Sequence, residues 1–245
     1  MKRAVVVLPT YNERENVPAV IDRVLPVKDA VKPIDLHVLF VDDDSPDGTG
    51  DVIKKLIGRY DFIHLLTRKG KLGLGSAYSD GFRYALDVLG ASIVLEMDSD
   101  LQHPPEKILE LIRTVESGAD VVLASRYVKG GGQKGWNRRR VIVSKAANWL
   151  ARFVLQLGVK DVTTGFRAMN AKAARELANS KFPSSGFSFQ LEAIKILKDK
   201  RMKIIEIPFI FEPRAFGKSK LSRLEITRFA KTVFRLRFRS SPKSA

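Results

Sequence analysis

The stretch Ala91–Glu106, "ASIVLEMDSDLQHPPE", decides how the chain is read. Its first part, "SIVLEMD", is a short apolar run with β-branched residues, the pattern of a strand buried on both faces. The run stops at two aspartates one residue apart, Asp98 and Asp100, and Gln102, His103 and two prolines follow. Then "PEKILELIRTVES" puts Ile108, Leu109, Leu111, Ile112 and Val115 on one side, a helix with proline in its first turn. A buried strand that surfaces in acid and passes into a helix is the unit of a parallel sheet covered by helices.

That unit recurs along the chain. "RAVVVLP" (Arg3–Pro9), "LHVLFVD" (Leu36–Asp42), "FIHLLT" (Phe62–Thr67) and "DVVLAS" (Asp120–Ser125) read as further strands. Helices are expected over Glu15–Leu25, "DVIKKLIGRY" and "GSAYSDGFRYALDVL". The fold class is therefore α/β, a mainly parallel central sheet with helices on both faces. Beyond residue 125 the pattern is less regular. "YVKGGGQKGWNRRR" reads as a mobile, basic, glycine-rich loop. "VIVSKAANWLARFVLQLG" and "FSFQLEAIKILKD" read as helices, "MKIIEIPFIF" as a strand, and a last helix starts at about Leu221. There is no internal repeat. A single catalytic domain over 1–225 is expected, with a basic amphipathic tail over 226–245.

With 44% hydrophobic and 29% charged residues among 245, wholesale disorder is excluded. The absence of cysteine excludes disulfides and thiolate metal sites. No apolar run approaches the roughly 18 residues of a membrane span, and "MKRAVVVLPTYNE" lacks the length and cleavage site of a secretory signal. The expected location is cytoplasmic, peripheral on the cytosolic face of a membrane. A formal net charge of +16 calls for an anionic partner. Nucleic acid, acidic lipid and phosphorylated small molecules all satisfy the charge. No RNA-recognition, zinc-finger or basic-zipper signature is present, and acid lines the predicted cleft, so nucleic acid is not expected as the partner.

Three polar clusters follow predicted strands: "PTYNERE", "VDDDSPDGT" and "MDSDLQH". Any one of them reads as turn chemistry. Three at the carboxyl-end edge of one parallel sheet mark a ligand cleft. Asp98 and Asp100 can both reach a divalent cation, with Gln102 as a neutral oxygen ligand. Hard oxygen donors without cysteine suit Mg²⁺ or Mn²⁺, in a shell completed by substrate phosphates. His103 can join that set, although a lone histidine beside proline is more often structural. Arg68 and Lys69, in "TRKGKLGLGSAY", add charge suited to phosphate. The "GLG" there lacks the spacing of a dinucleotide fingerprint and does not follow the first strand.

The motifs "PTYNERENV", "VDDDSPDGTGDV", "RKGKLGLGSAY", "MDSDLQHPPE", "ASRYVKGGG", "GWNRRRVIVSKAANWLAR", "DVTTGFRAMN", "FSFQLEAIKI" and "EIPFIFEPRAFGKSKL" occur in this order. Together they resemble the polyprenol (dolichol) phosphate mannose synthases, inverting family 2 glycosyltransferases with a GT-A fold. The resemblance spans residues 3 to 225. It implies transfer of mannose from GDP-mannose to a polyprenyl or dolichyl phosphate, a polyprenyl-phosphate glucosyltransferase using UDP-glucose being the alternative. By the same resemblance Pro9, Tyr11, Glu13 and Asp43 would hold the nucleotide, with Arg68 nearby. Asp98, Asp100 and Gln102 would arrange the metal. Arg126 and Arg140 would receive the acceptor phosphate, and Arg214, Ser219 and Lys220 would close over the donor diphosphate. Asp44 stands where the family pattern has Asn or Gly, and Arg138 and Arg139 make the run before Arg140 unusually dense in arginine.

In "LEITRFAKTVFRLRFR", Phe229, Val233 and Leu236 lie at helical spacing among Arg228, Lys231, Arg235 and Arg239. This reads either as a helix on an anionic membrane surface or as a helix packed on the domain with a solvated basic face. A small membrane-protein partner is a third reading.

Overall fold

Parallel pairing of four apolar runs builds one half of the sheet: β1 (Arg3–Thr10), β2 (Asp35–Asp42), β3 (Ile63–Thr67) and β4 (Ile93–Glu96). The computed structural model describes residues 1–184, 186, 188–214 and 223–238. β5 (Val121–Ser125) and β8 (Ile204–Pro208) form the other half, also parallel. Between the halves runs β7 (Arg167–Asn170), antiparallel to both β4 and β5, giving the order β3-β2-β1-β4-β7-β5-β8. The inward residues of β1 and β2 are wholly buried on both faces, as their unbroken apolar composition requires.

Helices α1 (Asn16–Ala30), α2 (Thr49–Ile57) and α4 (Ile108–Glu116) cover one face. Helices α3 (Leu74–Asp87), α5 (Arg138–Leu155), α6 (Ala171–Ala178), α7 (Ser188–Asp199) and α8 (Arg223–Phe238) cover the other. The α1 helix outlasts the expected end at Leu25. Its apolar stripe continues through Val24 and Val27 into the core, and that burial outweighs the hydrogen bond lost at Pro26.

The second half departs further from expectation. β7 and α6 are too short, and the strand too polar, to show a period. The expected single strand over 202–211 breaks at Phe209, and β9 (Ile210–Phe211) leaves the main sheet to pair with β6 (Gly132–Gln133). The glycine-rich segment is therefore not a mobile loop. Gly131 lies so close to the end of β5 that a Cβ would meet the Ser125 carbonyl oxygen at 2.4 Å. The backbone amides of Gly132 and Lys134 donate to Phe209 and Phe211. The α8 helix follows the second of its readings: Phe229, Val233 and Leu236 pack into the domain core. The described part of the tail is thus continuous with the domain, and the boundary at 225 falls inside a helix.

At the centre of the sheet Glu96 on β4 and Arg167 on β7 are register partners, both wholly buried, with Arg167 Nε 3.2 Å from Glu96 Oε2. Gln190 from α7 donates its amide to Glu96 and accepts from Arg167. Gly165 makes room for it, since a Cβ there would stand 2.8 Å from Gln190 Nε2. Burial pushes the Glu96 carboxyl up to about 7 against the opposing pull of Arg167 and Gln190. A pair of this kind fixes geometry more than it stabilises, because both charges lose their water. Arg167→Ala is expected to lower the unfolding free energy in urea by about 3–5 kcal/mol, while Glu96→Leu with Arg167→Met loses much less. Equal losses from the two proteins would show that the pair does not set the cost.

Candidate active site

Because the strands are parallel, the loops after β1, β2, β4 and β5 emerge at one edge. The reversed β7 brings Asp161–Phe166, which precede it, to that same edge. Three non-glycine residues there adopt left-handed backbone: Asn12 (φ 60°), Asp44 (φ 55°) and Leu101 (φ 63°), one in each acidic or polar cluster. Asn and Asp tolerate this region. The position of Asp44 therefore favours Gly, Asn or Asp alike, which accounts for its departure from the family pattern. Leu101 gains no such relief, and strain of this kind, on the order of 1–3 kcal/mol, gathers at functional sites.

The first two loops form one side of the cleft. Asp42 caps its own loop, accepting from Thr10 Oγ1 (2.9 Å) and from the Ser45 amide (3.0 Å) and hydroxyl (2.6 Å). Asp43 pairs with Arg68 at 2.7 Å, both buried, and Arg68 Nε lies 3.1 Å from Asp80. Burial raises the Asp43 carboxyl, and Arg68 opposes the rise. Arg68 thus clamps Asp43 at this side of the cleft. The carbonyl of Pro9 accepts from Ser99 Oγ at 3.2 Å, tying β1 to the loop after β4. Lys71, which sequence reasoning passed over, places its ammonium 4.2 Å above the Tyr11 ring. Glu13 is steadied by the Asn16 amide at 2.6 Å. Burial raises its carboxyl, and Asp100 and Asp98 add to the rise.

The loop after β4 holds the acids. Asp100 Oδ1 accepts the Gln102 backbone amide at 3.1 Å, folding the chain over Leu101. Tyr78 of α3, wholly buried, donates to the Met97 carbonyl at 3.2 Å and lies 3.4 Å from Asp98 Oδ1. Burial lifts Asp98 to about 6, although 36% of its side chain remains open, with Arg214 and Tyr78 opposing the rise. Asp100 is raised by burial and then by Asp98.

His103 accepts the Asp98 amide proton at Nδ1 (3.0 Å), and its ring stacks on Phe166 at 5.0 Å. Burial lowers its pKa to about 4, so the ring is neutral with its proton on Nε2. It positions the Asp98 backbone through this bond. Arg214 sets Nη2 2.9 Å from Asp100 and Nε 3.2 Å from the Gln102 amide oxygen.

No group of three His, Asp or Glu among the described residues is arranged to hold a metal. Two carboxylates and an amide oxygen nevertheless make an all-oxygen set, and Arg214 shows that positive charge is favoured against it. These residues fit a hard divalent cation whose shell is completed from outside the protein.

The third side holds the arginines. Arg126 is gripped by Asp161: Nε and Nη2 donate at 2.7 Å each, and the Arg126 amide donates at 3.0 Å. Nη2 also donates to Thr163 at 2.7 Å. Asp161 and Thr163 lie in "DVTTGFRA", a motif visible in the sequence, but the pairing of Asp161 with Arg126 was not. Arg140 lies in the first turn of α5, which begins three residues earlier than its apolar run because Asn137 caps it, accepting the Arg140 amide at 2.8 Å. The guanidinium of Arg140 stands 4.0 Å over the Trp136 ring. Of the expected site residues, Ser219 and Lys220 lie outside the described residues. The others lie at this one edge of the sheet.

The glycosyl transferase family 2 profile matches residues 5–178. A polyprenol monophosphomannose synthase of Mycolicibacterium smegmatis is 39% identical over 222 residues, 90% of this chain and 82% of that one. An undecaprenyl-phosphate mannosyltransferase of Micrococcus luteus is 38% identical, covering 90% and 88%. Among solved structures, glucosyl-3-phosphoglycerate synthase from Mycobacterium tuberculosis, in complex with Mn²⁺, UDP and glucosyl-3-phosphoglycerate, superposes with a TM-score of 0.70 at 20% identity. It covers 98% of this chain and 82% of that one. This likeness bears out the GT-A fold.

Burial alone would raise Asp161, but Arg126 overrides it and holds the carboxyl below its ordinary value of 3.8. A lowered folded value contributes stability that is present above 3.8 and disappears as pH falls through the folded value. Urea midpoints followed downward from pH 5 should fall more steeply in the parent than in Asp161→Asn, which is less stable at neutral pH. Parallel profiles would remove Asp161 from the acid response.

Proposed function

We infer the reaction from a premise that the preceding comparisons establish: the chain belongs to the polyprenyl-phosphate mannosyltransferases of glycosyl transferase family 2. It transfers mannose from GDP-mannose to the phosphate of a polyprenol or dolichol, with inversion at the anomeric carbon. The observation that carries this reading is one cleft with two chemically opposite walls. The Asp98–Asp100–Gln102 wall and the Arg126–Arg140 wall are bridged by aromatic rings, with Phe211 5.7 Å from His103 on one side and 5.5 Å from Trp136 on the other.

In this reading Tyr11, Glu13 and Asp43 line the nucleotide pocket, and Arg68 opposes the rise in the Asp43 carboxyl and holds it in place. A divalent cation, Mg²⁺ or Mn²⁺, held by Asp98, Asp100 and Gln102, would neutralise charge on the leaving diphosphate. Arg214 already reaches Asp100 and adds its guanidinium to the same task, as Ser219 and Lys220 would. Arg126 and Arg140 orient the acceptor phosphate. Its oxygen is already an anion, so it attacks without a strong general base: a bond forms to the anomeric carbon as the bond to the diphosphate breaks. Rate enhancement rests on orientation and on charge placed in advance.

A lipid acceptor needs the cleft to meet a membrane. Among the described residues no helix is long and apolar enough to cross one. Helix α5 instead exposes Ile142 (65%), Trp149 (63%) and Phe153 (71%), and α8, packed beside it, exposes Phe234 (53%) and Phe238 (83%). Exposed Arg138, Arg139, Lys145, Lys231 and Arg237 lie on the same helices. Aromatic side chains among basic ones suit an anionic membrane surface. The lipid-facing residues of α8 are thus its phenylalanines at 234 and 238, while its buried stripe faces the core.

Radiolabelled GDP-mannose with a short polyprenyl phosphate and Mn²⁺ should move label into the organic phase, with loss of at least 100-fold in Asp100→Ala or EDTA, the scale of removing a main electrostatic element. Transfer from UDP-glucose alone would replace the donor and keep the acceptor. Anionic liposomes should float the parent protein and release Trp149→Ser/Phe153→Ser. Equal flotation of both would remove α5 from the membrane contact.

A further inference from the structure

Arg140 is in an electrostatically unfavourable place. It sits in the first turn of α5, an end that repels cations, beside Arg138 and Arg139 and without a carboxylate in that turn. Its Nε is buried and makes no hydrogen bond among the described residues. Arg126 and Arg214 both act on it as like charges, and burial with these neighbours lowers its pKa. What holds the guanidinium is the Trp136 ring, 4.0 Å away. The same indole lies 5.4 Å from the guanidinium carbon of Arg126, whose Nε and Nη2 are committed to Asp161 and Thr163. The Tyr127 and Phe211 rings flank Arg126 at 5.3 and 5.5 Å. Phe211 meets Trp136 edge to face at 5.5 Å, which fixes the indole plane from β9.

We propose that Trp136 is the positioning residue of the acceptor site: its indole, shared by the guanidinium groups of Arg126 and Arg140, holds two like charges on one phosphate monoester. The inference rests on the acceptor reading given above. An aromatic face attracts a guanidinium without neutralising it, so Arg140, which no carboxylate balances among the described residues, keeps its charge for the incoming anion beside the Asp161-paired Arg126. A carboxylate in the place of Trp136 would hold Arg140 equally well and would repel the phosphate. The ring acts only through the arginines, so its removal weakens acceptor capture and leaves the donor side intact.

Steady-state kinetics test this. Trp136→Leu, which keeps apolar bulk and removes the π-face, should raise the KM for polyprenyl phosphate roughly 10-fold, with kcat and the KM for GDP-mannose within about twofold of the parent. Trp136→Phe should recover most of the loss. The chain has two tryptophans, so in Trp149→Phe the remaining emission is that of Trp136. A short, water-soluble prenyl monophosphate should change that emission, the matching prenyl alcohol should not, and Arg140→Gln should abolish the change. A folded Trp136→Leu protein with an unaltered acceptor KM, or with kcat and both KM values shifted together, overturns the proposal. If Arg140→Gln also leaves the acceptor KM unaltered, the acceptor assignment itself fails. If Arg140→Gln raises it and Trp136→Leu does not, only the role of Trp136 falls.

Discussion

The buried pairing of Glu96 with Arg167 is the constraint on which the cleft depends. β4 and β7 run in opposite directions, and a slip of one residue would turn every side chain of β7 to the other face. With the two charges opposed across the pair, such a slip would leave each alone in apolar surroundings. The register therefore holds. Asp98 lies two residues beyond Glu96 on one strand, and Thr163 and Asp161 lie a few residues ahead of Arg167 on the other. One salt bridge sets Asp98 and the anchor of Arg126 at the same edge.

The two walls manage charge differently. On the acidic wall carboxylates crowd together, and burial raises Asp98, Asp100 and Glu13 above their ordinary values, so positive charge is favoured there. Arg214 supplies some of it from the chain. On the arginine wall Arg126 is balanced by Asp161, whereas Arg140 is balanced by no carboxylate among the described residues. The net charge of the chain and the acids in its cleft are thus compatible. The arginines of one wall and the acids of the other stand apart at the same sheet edge.

Most of the first half was legible because each strand is buried on both faces and each helix has one apolar side. Both patterns are periodic, and three strand ends carried their chemistry in adjacent residues. The second half was less legible for physical reasons. β7 has four residues, one of them a buried arginine, and nothing local distinguishes that arginine from a surface one. Asp161 and Arg126 meet only through the fold. The glycine-rich segment read as mobile because glycine permits freedom, whereas Gly131 is needed for close approach to β5. The stripe Phe229–Val233–Leu236 has the period of any amphipathic helix, and the period does not say whether core or lipid receives it. Asn137, by contrast, was a readable cap that would have placed Arg140 inside α5.

The position of β7 also governs how the chain can be made. As synthesis proceeds from the N-terminus, β1 to β4 can pair as soon as they emerge. β4 then presents an open edge, and β5 has no neighbour, until residues 167–170 arrive. Exposed strand edges of this kind recruit other chains, and the wait spans the whole of α5 with its outward tryptophan and phenylalanine. A chain halted before Arg167 has its acids in place and nothing opposite them.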